Sequence, residues 1–213
     1  MRLATRLVSP LALLAVLGSF ATAFATSTTL VIGEFRTRGP NGADDEFIEL
    51  YNVSTSPFLI GGWTVHASDN AGNTVELGMV TGGIVVFPGC RYLFANPNGY
   101  SGSVAPDQWF TTGSIPDDGG VSVQNGTIVM DAAGMSPGSA YGEGTLLAPL
   151  TTNVDQGYER KPGGSLGSGQ DTDDNATDFQ LISPSDPQDA ASTCHTTTPA
   201  RGRTWGELKL LYR

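Results

Sequence analysis

Glycine and proline interrupt this chain so often that short strands joined by turns are the only regular structure most of it can form. The 213-residue sequence has 28 glycines and 13 prolines, scattered in groups such as "GGW", "FPG", "PNG", "DDGG" and "QNG". Between them lie short runs rich in Val, Ile, Phe, Tyr and Thr, which favour strands. We therefore predict an all-β domain arranged as a β-sandwich.

Ten runs have the composition of strands. They span 28–35, 46–53, 61–68, 73–77, 83–87, 91–96, 120–124, 127–133, 157–161 and 178–183. Asn125-Gly126 lies between two of these runs and is the strongest hairpin signal in the chain. No helical periodicity occurs before the C-terminus.

Residues 1–25 have the pattern of an export signal. Arg2 and Arg6 precede an apolar run over 11–20, and Ala23-Phe24-Ala25 is typical of a signal-peptidase site. The apolar run is shorter than the roughly 20 residues that cross a bilayer. We expect cleavage before Thr26 and a secreted, periplasmic or cell-surface protein without a transmembrane segment.

The mature chain divides into a predicted domain over 26–190 and a C-terminal tail over 191–213. The formal net charge is −10. An acidic surface repels phosphate, so direct binding of nucleic acid is not expected. In the tail, Thr204 and Glu207 fit a capping box, and Trp205 and Leu208 would share one face of a short helix. Such a helix either packs on the domain or docks on a partner; both remain open.

The two cysteines, Cys90 and Cys194, allow one disulfide. An exported protein meets an oxidising compartment, which favours the bond. Two unpaired thiols, one of them buried, are the alternative.

Two glutamates in the stretch "DEFIELYN" raise the question of paired catalytic carboxylates. Side chains alternate between the faces of a strand, so Glu46 and Glu49 point in opposite directions. Paired glycosidase carboxylates must instead converge on one bond. We expect the acids of this chain to be dispersed, with Ile48 and Leu50 facing the core.

Several sequence blocks, in order, resemble the bacterial branch of the lamin-tail domain family. They are "LVIGEF", "DEFIELYNVSTSPFLIGGWTVH", "FPGCRYLFA", "IPDDGG", "GTIVMDAAG", "YGEG", "YERKPGG" and "DTDDNATDFQLISPSDP", over roughly 28–187. The resemblance implies an immunoglobulin-like β-sandwich in which Trp63 is a core residue and Asn52 ends its strand with a turn. It also implies an accessory role, because bacterial lamin-tail domains often accompany secreted nucleases, phosphatases or surface proteins. Cys90 departs from the family, where the "PG" turn more often continues with a small residue.

Motifs for hydrolytic chemistry are weak in this sequence. A literal G-x-S-x-G occurs at 134–138, but Pro137 follows the serine and has no N–H for an oxyanion hole. His66 and His195 are the two histidines, and neither belongs to a recognisable catalytic motif. We expect no enzymatic activity and no catalytic residue.

The stretch "DTDDNATD" at 171–178 is the strongest candidate for a cation site. Its possible ligands are Asp171, Asp173, Asn175 and Asp178, the first three at positions 1, 3 and 5 of an EF-hand-like spacing. Ala176 and Ile182 replace the glycine and glutamate of that loop. An Asx-rich loop that presents Phe179 to the core is the favoured interpretation, with calcium as the alternative.

The sequence as a whole predicts an exported, non-enzymatic binding or surface-structural module. Its expected partner is a protein or cell-envelope component, and in the docking alternative the C-terminal tail contacts it. A small secreted hydrolase of phosphoesters or nucleic acids, using acidic loops and a metal, is the first alternative. A carbohydrate-binding module with Trp109 or Tyr100 as a stacking platform is the second. Calcium is the one candidate cofactor.

Overall fold

The computed structural model describes residues 27–196, an all-β sandwich with one short α-helix and one 3₁₀ turn at Gly164–Leu166, as the turn-rich sequence predicts. The elements are β1 Leu30–Arg36, β2 Phe47–Asn52, β3 Phe58–Leu59, β4 Trp63–Ser68, β5 Thr74–Met79, β6 Val85–Val86, β7 Arg91–Ala95, β8 Gln108–Trp109, β9 Gly120–Asn125, β10 Ile128–Gly134, β11 Gly157–Arg160, α1 Asn175–Asp178 and β12 Phe179–Ile182. The predicted signal peptide and C-terminal helix lie outside the described residues. Within 27–196, no helix has the length and apolar character to cross a membrane.

Two main sheets form the sandwich. The six-stranded sheet has the order β12-β11-β1-β2-β7-β8, and the four-stranded sheet has the order β10-β9-β4-β5. Their pairs are antiparallel except for β7–β8, which is parallel. A separate two-stranded sheet joins β3 and β6.

Alternating side chains fill the space between the two main sheets. From the six-stranded sheet, Ile48 and Leu50 enter this core, as the alternation in β2 predicts. From the four-stranded sheet, Trp63, Val65 and Val123 meet them. Burial of such side chains provides the main driving force for the fold.

The six-stranded sheet is covered on both faces. Phe47, Leu93 and Ala95 form a small second cluster on its outer face, with Tyr100 packed against them. Residues 186–195 also lie along this outer face. The backbone N–H groups of Asp186 and Gln188, for example, donate to Glu34 and Glu49. This double cover explains why every residue of β1, β2 and β7 is buried.

Local turns follow the expected chemistry. Asn52 ends β2 by accepting the backbone N–H of Ser54 and donating to the carbonyls of Ser56 and Val86. Gly126 has a φ of 62° in the hairpin between β9 and β10, a conformation that glycine adopts without strain. The two turn residues are Gly126 and Thr127, one position later than Asn125-Gly126.

Two strands were missing from the sequence prediction, namely β3 and β8. Each contains only two residues, too few for an alternating pattern to be seen. The run 83–87 likewise contributes only Val85 and Val86 to a strand.

A disulfide joins Cys90 to Cys194 and closes a separation of 104 residues. Cys90 immediately precedes β7, and Cys194 lies within the predicted tail. His195 donates its backbone N–H to the carbonyl of Gly89, and the hydroxyl of Tyr51 donates to the carbonyl of His195. Residues up to Thr196 are therefore held against the sandwich.

We expect the Cys90→Ser/Cys194→Ser double variant to lose about 4 kcal/mol of unfolding free energy, because a loop of this length gains much conformational entropy when the bond is absent. Urea unfolding with and without dithiothreitol measures the effect. Dithiothreitol should destabilise the wild type and leave the double variant unchanged. An equal response of both proteins would contradict the prediction.

Candidate functional site

Three buried carboxyl groups from distant parts of the chain meet at one edge of the sandwich. Asp131 comes from β10, Glu143 from the loop after it, and Asp171 from the loop before α1. One carboxylate oxygen of each lies within 4.8 Å of those of the other two. We call these three residues the carboxylate centre.

Asp131 is fixed by a buried arginine. The register between β9 and β10 shifts between Val129 and Asp131, a local irregularity of the kind that re-aims a side chain. Both carboxylate oxygens of Asp131 accept hydrogen bonds from Nη2 of Arg160, at 2.7 and 2.6 Å. Ile32 donates its backbone N–H to Asp131 and accepts from Nε of Arg160. The pair thereby links β10 of one sheet with β11 and β1 of the other.

Glu143 is positioned by Asn175, the first residue of α1. The side-chain oxygen of Asn175 accepts the backbone N–H groups of Gly134 and Glu143, and its amide donates to the carbonyl of Ala132. Asn175 is fully buried. Its position brings the loop of Glu143 against the end of β10.

The loop before α1 is held by hydrogen bonds that aspartate side chains accept from nearby backbone and hydroxyl groups. Asp174 caps the helix by accepting the backbone N–H of Thr177. Asp178 accepts the backbone N–H and hydroxyl of Thr172. Phe179 follows and packs into the core. The Asx-rich interpretation of this stretch is confirmed.

The EF-hand-like ligand set is not brought together in this structure. Asn175 and Asp178 use their side chains in the hydrogen bonds above and are fully buried. Asp171 alone joins the carboxylate centre, whose other members, Asp131 and Glu143, were not candidates from the sequence. No local spacing marks them, because they lie 40 and 28 residues before Asp171.

Burial raises the pKa values of Asp131 and Glu143, and repulsion between the carboxylates adds to the rise. The pKa of Glu143 is raised to about 8 by burial and by the charges of Asp131 and Asp171. Burial raises the pKa of Asp131 to about 6, with Arg160 opposing that rise. Asp171 accepts the backbone N–H of Ser27 on Oδ2, whereas its buried Oδ1 has no hydrogen bond within 27–196.

A second acidic cluster lies on the outer face of the six-stranded sheet. We call Glu34, Glu49, Glu159 and Arg91 the outer-face cluster. Glu49 accepts Nε of Arg91 at 2.8 Å and the backbone N–H of Gln188 at 2.8 Å. Burial and the neighbouring Glu49 raise the pKa of Glu34 well above its usual value, and burial raises that of Glu49 to about 8.

The expectation that the acids are dispersed is therefore wrong for both clusters. It holds for Glu46 and Glu49 themselves, which bind separate partners: Glu46 accepts from Asn96 and from the backbone N–H of Ile115. The alternation of side chains places neighbouring residues of one strand on opposite faces of the sheet. It cannot predict which acids of different strands and loops come together in the fold.

The two histidines and the serine of the G-x-S-x-G stretch, for which no catalytic role is predicted, contact partners outside the carboxylate centre or, in the case of the serine hydroxyl, form no hydrogen bond within the described residues. The ring of His66 contacts Thr64 and Tyr141 on the four-stranded sheet, and burial lowers its pKa. His195 makes the backbone contacts at Gly89 described above. Ser136 of the G-x-S-x-G stretch is buried, and its hydroxyl has no hydrogen bond within the described residues.

The structure also exposes a stripe of apolar side chains. Leu59 and Val85 are partners across the β3–β6 pair, so they share a face, and Phe87 follows on the same side. Their exposed fractions are 61%, 44% and 58%. We call these three residues the apolar stripe. Thr196 packs against Gly89, two residues after Phe87.

Trp109 and Tyr100, the two alternative stacking residues for a sugar, contact each other and differ in exposure. Tyr100 and Trp109 meet edge to face, at 74° between their ring planes. Tyr100 also packs on Phe47 and donates its hydroxyl to the carbonyl of Val104. Only Trp109 is substantially exposed.

Comparison with known proteins leaves the chain without a shown family: no protein-family model matches it, and no curated protein matches its sequence. The lamin-tail resemblance and the immunoglobulin-like topology that it implies therefore stay predictions.

We expect the outer-face cluster to make stability depend on pH. A folded-state pKa raised above the unfolded value of 4.5 contributes stability that is present at low pH and is lost as pH rises through the folded pKa. Glu34→Gln cannot ionise, so it should match the wild type near pH 4.5 and exceed it at pH 8.

Urea unfolding at the two pH values measures this difference. Glu76→Gln, at an exposed position of β5, is the matched control and should show none. An equal pH response of Glu34→Gln and the wild type would count against the cluster's effect.

Proposed function

We propose that this protein is an exported, non-enzymatic binding module that attaches to a protein of the cell envelope through its lamin-tail-like sandwich and C-terminal tail. The observation that carries the proposal is the apolar stripe of Leu59, Val85 and Phe87, located where the chain leaves the described residues. Exposed apolar side chains that are contiguous and not scattered are typical of interaction surfaces.

The chemistry of the expected partner follows from the two neighbouring features. The stripe suits an apolar contact at the centre of an interface. The tail contributes Arg201, Arg203, Lys209 and Arg213 against the single acid Glu207, which suits an acidic rim on the partner. The disulfide between Cys90 and Cys194 fixes the start of the tail beside the stripe.

Export is supported by two features. The N-terminal pattern is that of a signal peptide. The disulfide is a bond that persists in oxidising compartments.

A metal-dependent hydrolase is the second candidate, and the carboxylate centre is the observation that favours it. One feature of the described residues weighs against it. Neither histidine of the chain, both of which the structure describes, contacts the centre, so no imidazole general base lies beside it. A screen of the purified protein against DNA, phosphoesters and glycans, with and without calcium, separates the candidates: turnover abolished by Asp171→Asn would favour the hydrolase.

We expect the Leu59→Ser/Phe87→Ser variant to lose surface retention on the producing cell by at least about tenfold, because central apolar anchors dominate interface energies. The envelope-bound and released fractions measure retention, and thermal melting reports the fold. The matched control is Ile128→Ser/Leu181→Ser, which alters two side chains of similar exposure elsewhere. Loss of retention in both variants, or in neither, would contradict the proposal.

Deletion of 201–213 tests the contribution of the tail. We expect reduced retention with an unchanged melting temperature. A lower melting temperature with normal retention would instead show that the tail packs on its own sandwich.

A further inference from the structure

We propose that the carboxylate centre of Asp131, Glu143 and Asp171 binds one hard divalent cation, with calcium preferred, as a structural site that no feature of the proposed function requires. Its oxygens converge from three separate chain segments within 4.8 Å of one another. Such a spacing allows one ion to contact all three groups, since calcium–oxygen distances are roughly 2.3–2.6 Å.

A buried oxygen without a hydrogen bond points to a missing ligand. The side chain of Asp171 is 5% exposed. Its Oδ2 accepts the backbone N–H of Ser27 at 2.6 Å. Its Oδ1 has no hydrogen bond within 27–196, although it forms an ion pair with Nη1 of Arg160 at 3.5 Å. Buried carboxylate oxygens are ordinarily satisfied by a donor or a metal.

Arg160 is the cationic side chain that pairs with the acids of the centre. Arg160 commits Nη2 to Asp131, Nη1 to the carbonyl of Gln170, and Nε to the carbonyl of Ile32. The same guanidinium also forms ion pairs with Asp171 at 3.5 Å and Asp178 at 3.8 Å, so one cation serves three acids. A divalent ion at the carboxylate centre would add positive charge that Arg160 alone does not provide.

The donor set selects the class of ion. The three candidate ligands are carboxylates, without an imidazole or thiolate among them. Oxygen ligands of this kind suit calcium, magnesium or manganese, whereas zinc favours nitrogen and sulfur. Calcium tolerates the irregular geometry of loop-borne ligands, and magnesium demands an almost ideal octahedron.

The ion would act as a cross-link between chain segments. Asp131 belongs to a strand of the four-stranded sheet, and Asp171 lies in the loop that leads to α1 and β12 of the other sheet. Binding therefore stabilises the contact between this loop and the end of β10. The nearby Arg160 opposes the ion, so we expect a dissociation constant on the order of 0.1 to 1 mM, as in extracellular calcium modules.

Thermal melting of the full chain after dialysis against EDTA tests the site, with CaCl₂ as the probe. At 10 mM CaCl₂ we expect the melting temperature to rise by about 4 °C, and by less with MgCl₂ at the same ionic strength. Isothermal titration with CaCl₂ should give one ion per chain. No calcium-specific rise and no titration signal would overturn the proposal.

Two ligand variants and a control locate the ion. Asp171→Asn and Glu143→Gln should each weaken CaCl₂ binding by at least about tenfold, while Asp44→Asn, at an exposed acid, should bind as the wild type does. If a ligand variant fails to fold, terbium luminescence of the wild type at limiting calcium gives a second measurement, with competition by CaCl₂ expected. Equal binding by Asp171→Asn, Glu143→Gln and Asp44→Asn would place the ion elsewhere and refute the site.

Discussion

The buried pair of Arg160 and Asp131 is the interaction on which the rest of the sandwich depends. It joins β11 in the six-stranded sheet to β10 in the four-stranded sheet. It also bonds both backbone groups of Ile32, at a point where β11 no longer pairs with β1. A buried charge left without its partner costs roughly 3–5 kcal/mol, so neither member can be lost alone.

The same arrangement recurs twice on the six-stranded sheet. Three buried arginines each pair with a carboxylate and lie over an aromatic ring: Arg36 with Asp45 and Phe47, Arg91 with Glu49 and Tyr51, and Arg160 with Asp131 and Phe179. Guanidinium groups suit such sites because they are planar, weakly hydrated and able to stack on rings. Acids in excess of these arginines gather in the outer-face cluster and the carboxylate centre. The first is bonded by backbone N–H groups of 186–188, and the second retains an oxygen suited to a cation.

Features that depend on residues close together in the sequence, such as the buried face of a strand or a turn, could be predicted from the sequence. Alternation placed Ile48 and Leu50 in the core, and turn chemistry assigned the role of Asn52. The contact of Asp131 with Arg160 could not be found this way, because it depends on which strands lie opposite each other. The EF-hand-like spacing over 171–178 predicted the wrong ligand set for the same reason. Asn175 has the right position in the sequence, but its side chain bonds to the end of β10 and to the loop that follows β10.

A double-mutant cycle between Asp131 and Arg160 tests the central claim most directly. Asp131→Leu and Arg160→Met should each destabilise the fold by about 3–5 kcal/mol in urea unfolding. The double variant should be more stable than the sum of the single losses implies by at least about 2 kcal/mol. The partly exposed pair of Arg38 and Asp117 should show a coupling below about 0.5 kcal/mol. Additive losses at Asp131 and Arg160 would contradict the claim that this pair holds the two sheets together.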